Sequence, residues 1–253
     1  MRKIVELSNI SKNYHSKEGE IAAVAAVDFF VCEGEFVSIV GPSGCGKSTL
    51  LSMIAGLMPP SGGEILINGK SPTGCASEVG YMFQKDQLFP WRTILSNVLL
   101  GLEIQKKLTS ENIAYAHELL EKYGLGDFKK KRPRELSGGM RQRAALIRTL
   151  ATRPKILLLD EPFSALDYQT RLKVSDEVGA ILSAEAVTAI LVTHDIAESI
   201  ALSDRVVVLS QRPCTVKNIH NIEIDKGASL RRKSTKFPAY FDSIWKELRE
   251  DEG

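Results

Sequence analysis

The stretch GPSGCGKST, residues 41–49, has the spacing G-x-x-x-x-G-K-[ST]. That spacing suits one chemistry, the holding of a phosphate chain. Glycines let the backbone wrap closely around an anion, and successive N–H groups plus a helix N-terminus supply positive charge without side-chain bulk. On this reading Gly41, Pro42, Ser43, Gly44, Cys45, Gly46, Lys47, Ser48 and Thr49 line the nucleotide phosphates. Lys47 meets the β- and γ-phosphates, and the Ser48 hydroxyl is placed to ligate Mg²⁺. Cys45 occupies a free position of the pattern and reads as loop filler, not a nucleophile.

A second set of residues could supply what such a loop lacks. In KILLLDEP an apolar run delivers Asp160 and Glu161 to the C-terminal end of a strand, the edge at which open α/β sheets bind ligands. There Asp160 can hold the Mg²⁺ shell while Glu161 orients and partly deprotonates an attacking water. The same pair before Pro162 could equally be a solvated turn; the phosphate loop upstream favours the chemical reading. His194, in VTHD, ends another apolar strand, where it can touch a γ-phosphate, although a lone histidine is more often structural. Gln84 ends YMFQ at the border of a helical stretch, and there a side chain can touch Mg²⁺ or water; a plain surface glutamine is the bland alternative. LSGGMRQR, residues 136–143, raises a different question. Ser137, Gly138 and Gly139 open a helix and present N–H groups to an anion, yet one nucleotide needs one cradle.

The elements that must position these residues follow from pattern. The 253 residues are 43% apolar, enough for a full core. A net charge of +2 argues against a nucleic-acid binder that works by bulk charge, so no nucleic-acid partner is expected. The basic runs KKKR (129–132) and RRKSTK (231–236) read as solvated faces. Cys32, Cys45, Cys75 and Cys214 have no metal-type spacing and fit a reduced compartment, the cytoplasm by default. The N-terminus alternates apolar and polar residues as a strand does and not as a signal peptide. The longest candidate for a membrane segment, IAAVAAV, stops far short of the ~18 apolar residues of a spanning helix. Any membrane role is therefore borrowed from a partner.

Residues 1 to 85 read as short strands broken by glycine turns, including EFVSIVG, GGEILING and EVGYMFQ. TLLSMIAGLM after the loop places Leu50, Leu51, Ile54 and Leu57 on one helical stripe. From about 88 to 150 the pattern is helical, with Ile113, Ala116, Leu119, Leu120 and Tyr123 on one stripe. KILLLDEP and VTAILVTHD, separated by a helical stretch, imply parallel strands. In the tail, Phe237, Tyr240, Phe241, Ile244, Trp245 and Leu248 share a helical face that reads as a cap on the core in preference to a partner-binding helix.

In this order the motifs resemble the nucleotide-binding subunit of ATP-binding cassette (ABC) transporters, over residues 1 to about 212. The resemblance implies an α/β fold: a P-loop NTPase core with a parallel sheet, an N-terminal antiparallel β subdomain and an inserted α-helical subdomain. It implies an ATPase domain over 1–212, with the insert at about 88–150, and a C-terminal extension over 213–253 bearing an amphipathic helix. It makes Tyr14 the aromatic on which adenine stacks, and Gln84 the glutamine loop. Leu136, Ser137, Gly138, Gly139 and Gln142 become the signature, Ser164, Ala165, Leu166 and Asp167 the dimer loop, and His194 the switch histidine. Lys47, Glu161 and His194 are then catalytic, ATP is hydrolysed, and Mg²⁺ is held by Ser48, Gln84 and Asp160. Two copies pair head to tail in the family, so the second cradle serves the partner's nucleotide.

The resemblance further implies a membrane permease, docked beside Leu88, Phe89, Pro90 and Trp91, and a peripheral position on the cytoplasmic face of the plasma membrane. Phe89 and Trp91 could instead pack the insert's own core. The LFPW wording and the tail are similar to importers of the nitrate, sulfonate and taurine group, which use a separate substrate-binding protein. The alternative class is a soluble ABC ATPase acting on ribosomes or DNA. Against it, the chain holds one cassette, and the span from Thr49 to Leu136 is too short for a long coiled coil. A GTP switch or small-molecule kinase would leave the signature unexplained.

Overall fold

A computed structural model describes residues 2–16, 19–224 and 227–249. In chain order its main elements are β1 (Lys3–Ser16), β2 (Gly19–Cys32), β3 (Phe36–Val40), α1 (Lys47–Ile54), β4 (Gly62–Ile67), β5 (Val79–Met82), α2 (Ile94–Val98), α3 (Leu100–Ile104) and α4 (Ser110–Lys122). They continue with α5 (Gly138–Leu150), β6 (Ile156–Asp160), α6 (Tyr168–Ala184), β7 (Thr188–Val192), α7 (Ile196–Leu202), β8 (Arg205–Leu209), β9 (Val216–Asn221), α8 (Ala228–Arg231) and α9 (Phe237–Arg249). The chain forms two compact units: Met1–Ala76 with Ala186–Gly253, and Ser77–Glu185.

The first unit carries two kinds of strand pairing. β1 pairs antiparallel with both β2 and β4. β3 lies parallel between β7 and β8, and β9 adds antiparallel to β8. All five residues of β7, and Val37 to Val40 of β3, are buried, which is why these strands read as mainly apolar runs, the buried Ser38 and Thr188 excepted: parallel strands covered on both faces have no solvent-facing side to show. Helix α1 buries Leu50, Leu51 and Ile54 as the stripe predicts, but it stops at Ile54. Leu57, predicted on the same stripe, falls beyond the helix end and is 64% exposed.

The predicted cap on the core is present as α9. Ile244 is fully buried in a cluster with Val40, Ile196, Ile200, Val206 and Val208, and Phe237, Tyr240, Phe241 and Leu248 pack against it. Trp245 departs from the prediction. It is 48% exposed, stacks on Phe241 at 6.2 Å between ring centroids and lies beneath the Arg249 guanidinium. Arg231 departs too: instead of facing solvent, its guanidinium donates to the Ser203 carbonyl at 2.5 Å and the Ile224 carbonyl at 2.9 Å.

The second unit holds β5 and β6, paired in parallel, with helices α2 to α6. Ala116, Leu119 and Leu120 on α4 are buried as the stripe requires. Near the end of α6, Glu185 gathers three donors: Lys122 Nζ at 2.8 Å, the Tyr123 hydroxyl at 2.5 Å and the Tyr115 hydroxyl at 3.1 Å. This polar knot joins the last turns of α4 to the C-terminus of α6. In the run 129–132, Lys129 and Lys131 pair with Glu121 and Glu135.

Candidate functional site

The predicted residues fall into two groups, one in each unit. In the first unit, residues 41–46 leave the C-terminal end of β3 and enter α1, whose N-cap is Gly46. Gly46 has φ of 129°, and a methyl group there would meet the Ala23 carbonyl oxygen at 2.9 Å, so only glycine fits. The loop closes around its own cation. Lys47 is 6% exposed, and its ammonium donates to the carbonyls of Gly41 at 2.7 Å and Pro42 at 2.8 Å. A buried ammonium without a counter-ion is costly, so carbonyl oxygens partly offset its desolvation and a phosphate would do so more fully.

Tyr14 and Thr49, both predicted to touch nucleotide, are brought together: the Tyr14 hydroxyl lies 3.3 Å from Thr49 Oγ1. The Tyr14 ring is 37% exposed, with Lys12 Nζ 5.7 Å from its centroid. Ser43, Gly44 and Ser48 are exposed, as an anion cradle requires. His194 follows β7 and is exposed. Asp195 beside it caps α7 by accepting from the Glu198 amide at 3.0 Å.

Cys45 is not simple filler. It is 1% exposed and hydrogen-bonded to Cys214, which is fully buried. The thiol–thiol bond, aided by the Lys47 charge and opposed by burial, lowers the Cys45 thiol to about 7. The same bond, with burial, pushes Cys214 up.

In the second unit the Tyr81 hydroxyl donates to Asp160 Oδ2 at 3.0 Å. Glu161 follows with φ of 44°, a left-handed backbone that is uncommon outside glycine and collects at functional positions. Its carbonyl accepts from Ser164 N at 3.2 Å and Ser164 Oγ at 2.9 Å. Gln84 Nε2 donates to the same Ser164 hydroxyl at 3.1 Å, so the glutamine segment and the first residue of SALD touch. Leu166 is half-buried, Ala165 is exposed, and Asp167 caps α6 by accepting from Thr170 N at 3.1 Å. The Thr170 hydroxyl and amide hold the Asp167 carboxyl below the usual range.

The signature opens α5. Ser137 is its N-cap, accepting from the Met140 amide at 3.3 Å. A methyl at Gly139 would meet Val174 of α6 at 2.7 Å, so the bare helix turn is also a packing requirement. Ser137 is exposed and Gly138 half-buried, whereas Leu136 is 5% and Gln142 4% exposed. Gln142 thus points into the unit, with its amide oxygen buried and unpartnered.

Four contributors escape a reading by motif. Tyr81 holds Asp160. Asp86, two residues past Gln84, pairs with Arg141 of α5 at 3.0 Å. Arg148 of α5 donates to the carbonyls of Gln87 at 2.6 Å and Asp86 at 2.9 Å. Cys214 bonds to Cys45. Local pattern carries no signal for any of these, because each partner lies far away in the chain.

A family model described as ABC transporter matches residues 24–164. An ABC transporter ATP-binding protein of Bacillus subtilis (strain 168), YtlC, is 49% identical over 247 residues, 96% of this chain and 95% of that protein. The nitrate import ATP-binding protein NrtD of Synechocystis is 38% identical over 252 residues, 97% of this chain and 95% of that one. A solved dimeric structure of the ATP-binding cassette MJ0796, in a post-hydrolysis state bound to ADP and Pi, is 33% identical with a TM-score of 0.74. It covers 87% of this chain and 99% of the other. The chain belongs to the ABC transporter family, as one of its ATPase cassettes.

Proposed function

We propose that the chain is the ATP-hydrolysing subunit of an importer, working as a head-to-tail pair of copies beneath a separate membrane permease. The observation that carries this is the second cradle. Ser137 sits exposed at the N-terminus of a thirteen-residue helix, while residues 41–49 already form a complete phosphate loop. A cradle without a nucleotide of its own fits the nucleotide of another copy. The dimeric solved relative supports pairing.

In each copy, Tyr14 stacks on adenine, and the backbone from Gly41 to Thr49 with Lys47 holds the phosphates. Glu161 takes the proton of the attacking water, and His194 contacts the γ-phosphate. The SALD segment, Ser164 to Asp167, lies at the copy-to-copy contact. Ser137, Gly138 and Gly139 close over the partner's ATP, with buried Gln142 supporting them from within. Ser48, Gln84 and Asp160 offer a hydroxyl, an amide oxygen and a carboxylate, an all-oxygen donor set suited to Mg²⁺. Among the described residues no cluster of three or more His, Cys, Asp or Glu could hold a metal alone. That fits Mg²⁺, which is commonly held by one or two protein oxygens together with nucleotide phosphates. When bound, the ion neutralises charge on the β- and γ-phosphate oxygens.

Among the described residues no helix is long and apolar enough to cross a membrane. The crossing therefore falls to the proposed permease, with this chain peripheral on the cytoplasmic face. Its dock lies beside Gln84, where Phe89 and Trp91 pair at 5.0 Å and Trp91 is 66% exposed. Leu88, by contrast, is buried and belongs to the unit's own core. The solute is a small anion or organic solute of the nitrate, sulfonate or taurine type, delivered by a separate binding protein; the likeness to NrtD, a nitrate import ATP-binding protein, supports the anion within that range. We further propose that the ATPase domain spans 1–212 and that 213–253 is an extension. Extraction of the tagged chain from its native cells in detergent tests the whole reading. A polytopic membrane protein should co-purify in stoichiometric amount; ribosomes or DNA-bound proteins in its place would refute the importer assignment.

A further inference from the structure

The phosphate loop is wired to a second thiol. Cys214 is fixed from both sides of its backbone: its N–H donates to the Ala23 carbonyl at 3.1 Å, and its carbonyl accepts from Ala25 N at 2.9 Å. This bridge to β2 places Cys214 Sγ directly beneath the loop, 3.1 Å from where a methyl on Gly46 would stand. Cys45 Sγ comes within 3.1 Å of the corresponding position on Gly41. Both sulfurs are shielded from solvent and hydrogen-bond to each other.

We propose that Cys45 and Cys214 are a modification site: a hydroperoxide converts them to a disulfide, and the closed bond disables the ATP loop reversibly. The proposal rests on reading residues 41–49 as the ATP loop. The chemistry balances with hydrogen peroxide as oxidant. The Cys45 thiolate attacks one peroxide oxygen, the O–O bond breaks, and Cys45 sulfenic acid and hydroxide form. The Cys214 sulfur then attacks the Cys45 sulfur, the S–O bond breaks, and its hydroxyl leaves as water with the Cys214 proton. Two thiols and one peroxide give one disulfide and two waters.

Each thiol suits its step. The thiolate is the reactive form, and the hydrogen bond with Cys214, aided by the Lys47 charge, favours it at Cys45. Cys214 keeps its proton chiefly because it bonds to Cys45. Once Cys45 is an uncharged sulfenic acid, that restraint is gone and the second sulfur is freed to attack. A covalent S–S bond is much shorter than a thiol–thiol hydrogen bond. Cys214 is held by β2, so the loop must give way, and Lys47 with its carbonyl partners Gly41 and Pro42 moves with it. By linkage, bound ATP must oppose closure to the same degree that closure opposes ATP.

The test uses the full-length purified chain. Reduced chain is treated with hydrogen peroxide with and without ATP, free thiols are alkylated, and linked peptides are identified by mass spectrometry; binding of a fluorescent ATP analogue is followed in parallel. A Cys45–Cys214 peptide should appear, analogue affinity should fall by roughly tenfold or more, dithiothreitol should restore it, and prior ATP should slow linkage. Cys214→Ala should bind the analogue normally when reduced, form no link, and lose binding to peroxide in a way dithiothreitol does not repair. Peroxide that oxidises Cys45 without forming the link, or a link that leaves analogue affinity unchanged, would overturn the proposal. Failure of the reduced chain to bind the analogue would instead sink the reading of the loop, while linkage is still scored by mass. Should Cys214→Ala not fold, linkage and affinity of the wild-type chain decide alone.

Discussion

The Tyr81 hydroxyl donates to the Asp160 carboxylate at 3.0 Å across the neighbouring parallel strands β5 and β6. A carboxylate at a strand end has rotational freedom, and a phenol on the adjacent strand removes it. Tyr81→Phe keeps the ring and deletes the bond. The half-saturating Mg²⁺ concentration for ATP hydrolysis should rise several-fold, while folding stability falls by only about 0.5–1.5 kcal/mol. Mn²⁺ binding to the nucleotide complex, followed by electron paramagnetic resonance, should weaken in parallel. An unchanged metal requirement would leave Tyr81 a packing residue.

Glu161 occupies a left-handed backbone conformation, φ 44°, which for a non-glycine residue costs on the order of 1–3 kcal/mol and persists where the surroundings impose it. Glu161→Gln keeps the shape and removes the proposed base. Nucleotide should bind as before, hydrolysis should fall by roughly 10²-fold or more, and an ATP-dependent dimer should accumulate on gel filtration. Near-normal turnover in this variant is the result that refutes its role.

Ser137 caps α5 at the proposed contact with a second copy. Ser137→Arg should leave ATP binding to the single chain intact and abolish hydrolysis. Mixed with Lys47→Ala chains, it should restore at most one working site per dimer. Two independent, fully active sites in the mixture would contradict sharing.

The knot at Glu185 makes a pH prediction. Burial opposes ionisation of Glu185, but hydrogen bonds from Lys122, Tyr123 and Tyr115 outweigh it and hold the carboxyl below its usual range. Burial, together with the charge of Glu185, pushes Tyr115 up to about 12. A depressed carboxyl stabilises the fold above the unfolded value of about 4.3 and loses that contribution as pH falls through the folded value. A raised phenol stabilises below its unfolded value of about 10 and loses the contribution as pH rises through about 12. Urea midpoints should therefore fall between about pH 10 and 12, and Tyr115→Phe should flatten part of that limb. Glu185→Ala, which removes the partner of the Tyr115 hydroxyl and leaves Tyr123 with Lys122, should cost about 1–3 kcal/mol at neutral pH.

Strands and helices with one clear period were legible in the sequence. EFVSIV, KILLLD and TAILV could be read because strands buried on both faces are mostly apolar, with Ser38 and Thr188 tolerated as hydrogen-bonded exceptions, and the phosphate loop because its strand, turn and helix adjoin in the chain. Leu57 and Trp245 show where periodicity fails: Leu57 lies past the residue at which its helix stops, and Trp245 is half-exposed on a helix whose later residue Leu248 still packs on the core. Cys45 shows a deeper limit. It occupies a variable position of a motif, and its character depends on Cys214, brought in by a backbone bridge to β2. The register that sets Tyr81 beside Asp160 is likewise a property of paired strands, not of either one.

The two arginine contacts of α5 carry a mechanical meaning. Arg141 grips the Asp86 side chain, and Arg148 grips the backbone at Asp86 and Gln87, so the segment leading to Phe89 and Trp91 is riveted to the helix that begins at Ser137. If the proposed permease docks at Trp91, these contacts join its dock to Ser137, and Arg148→Ala should spare ATP hydrolysis while solute uptake through that permease falls; uptake that falls only in step with hydrolysis would contradict it.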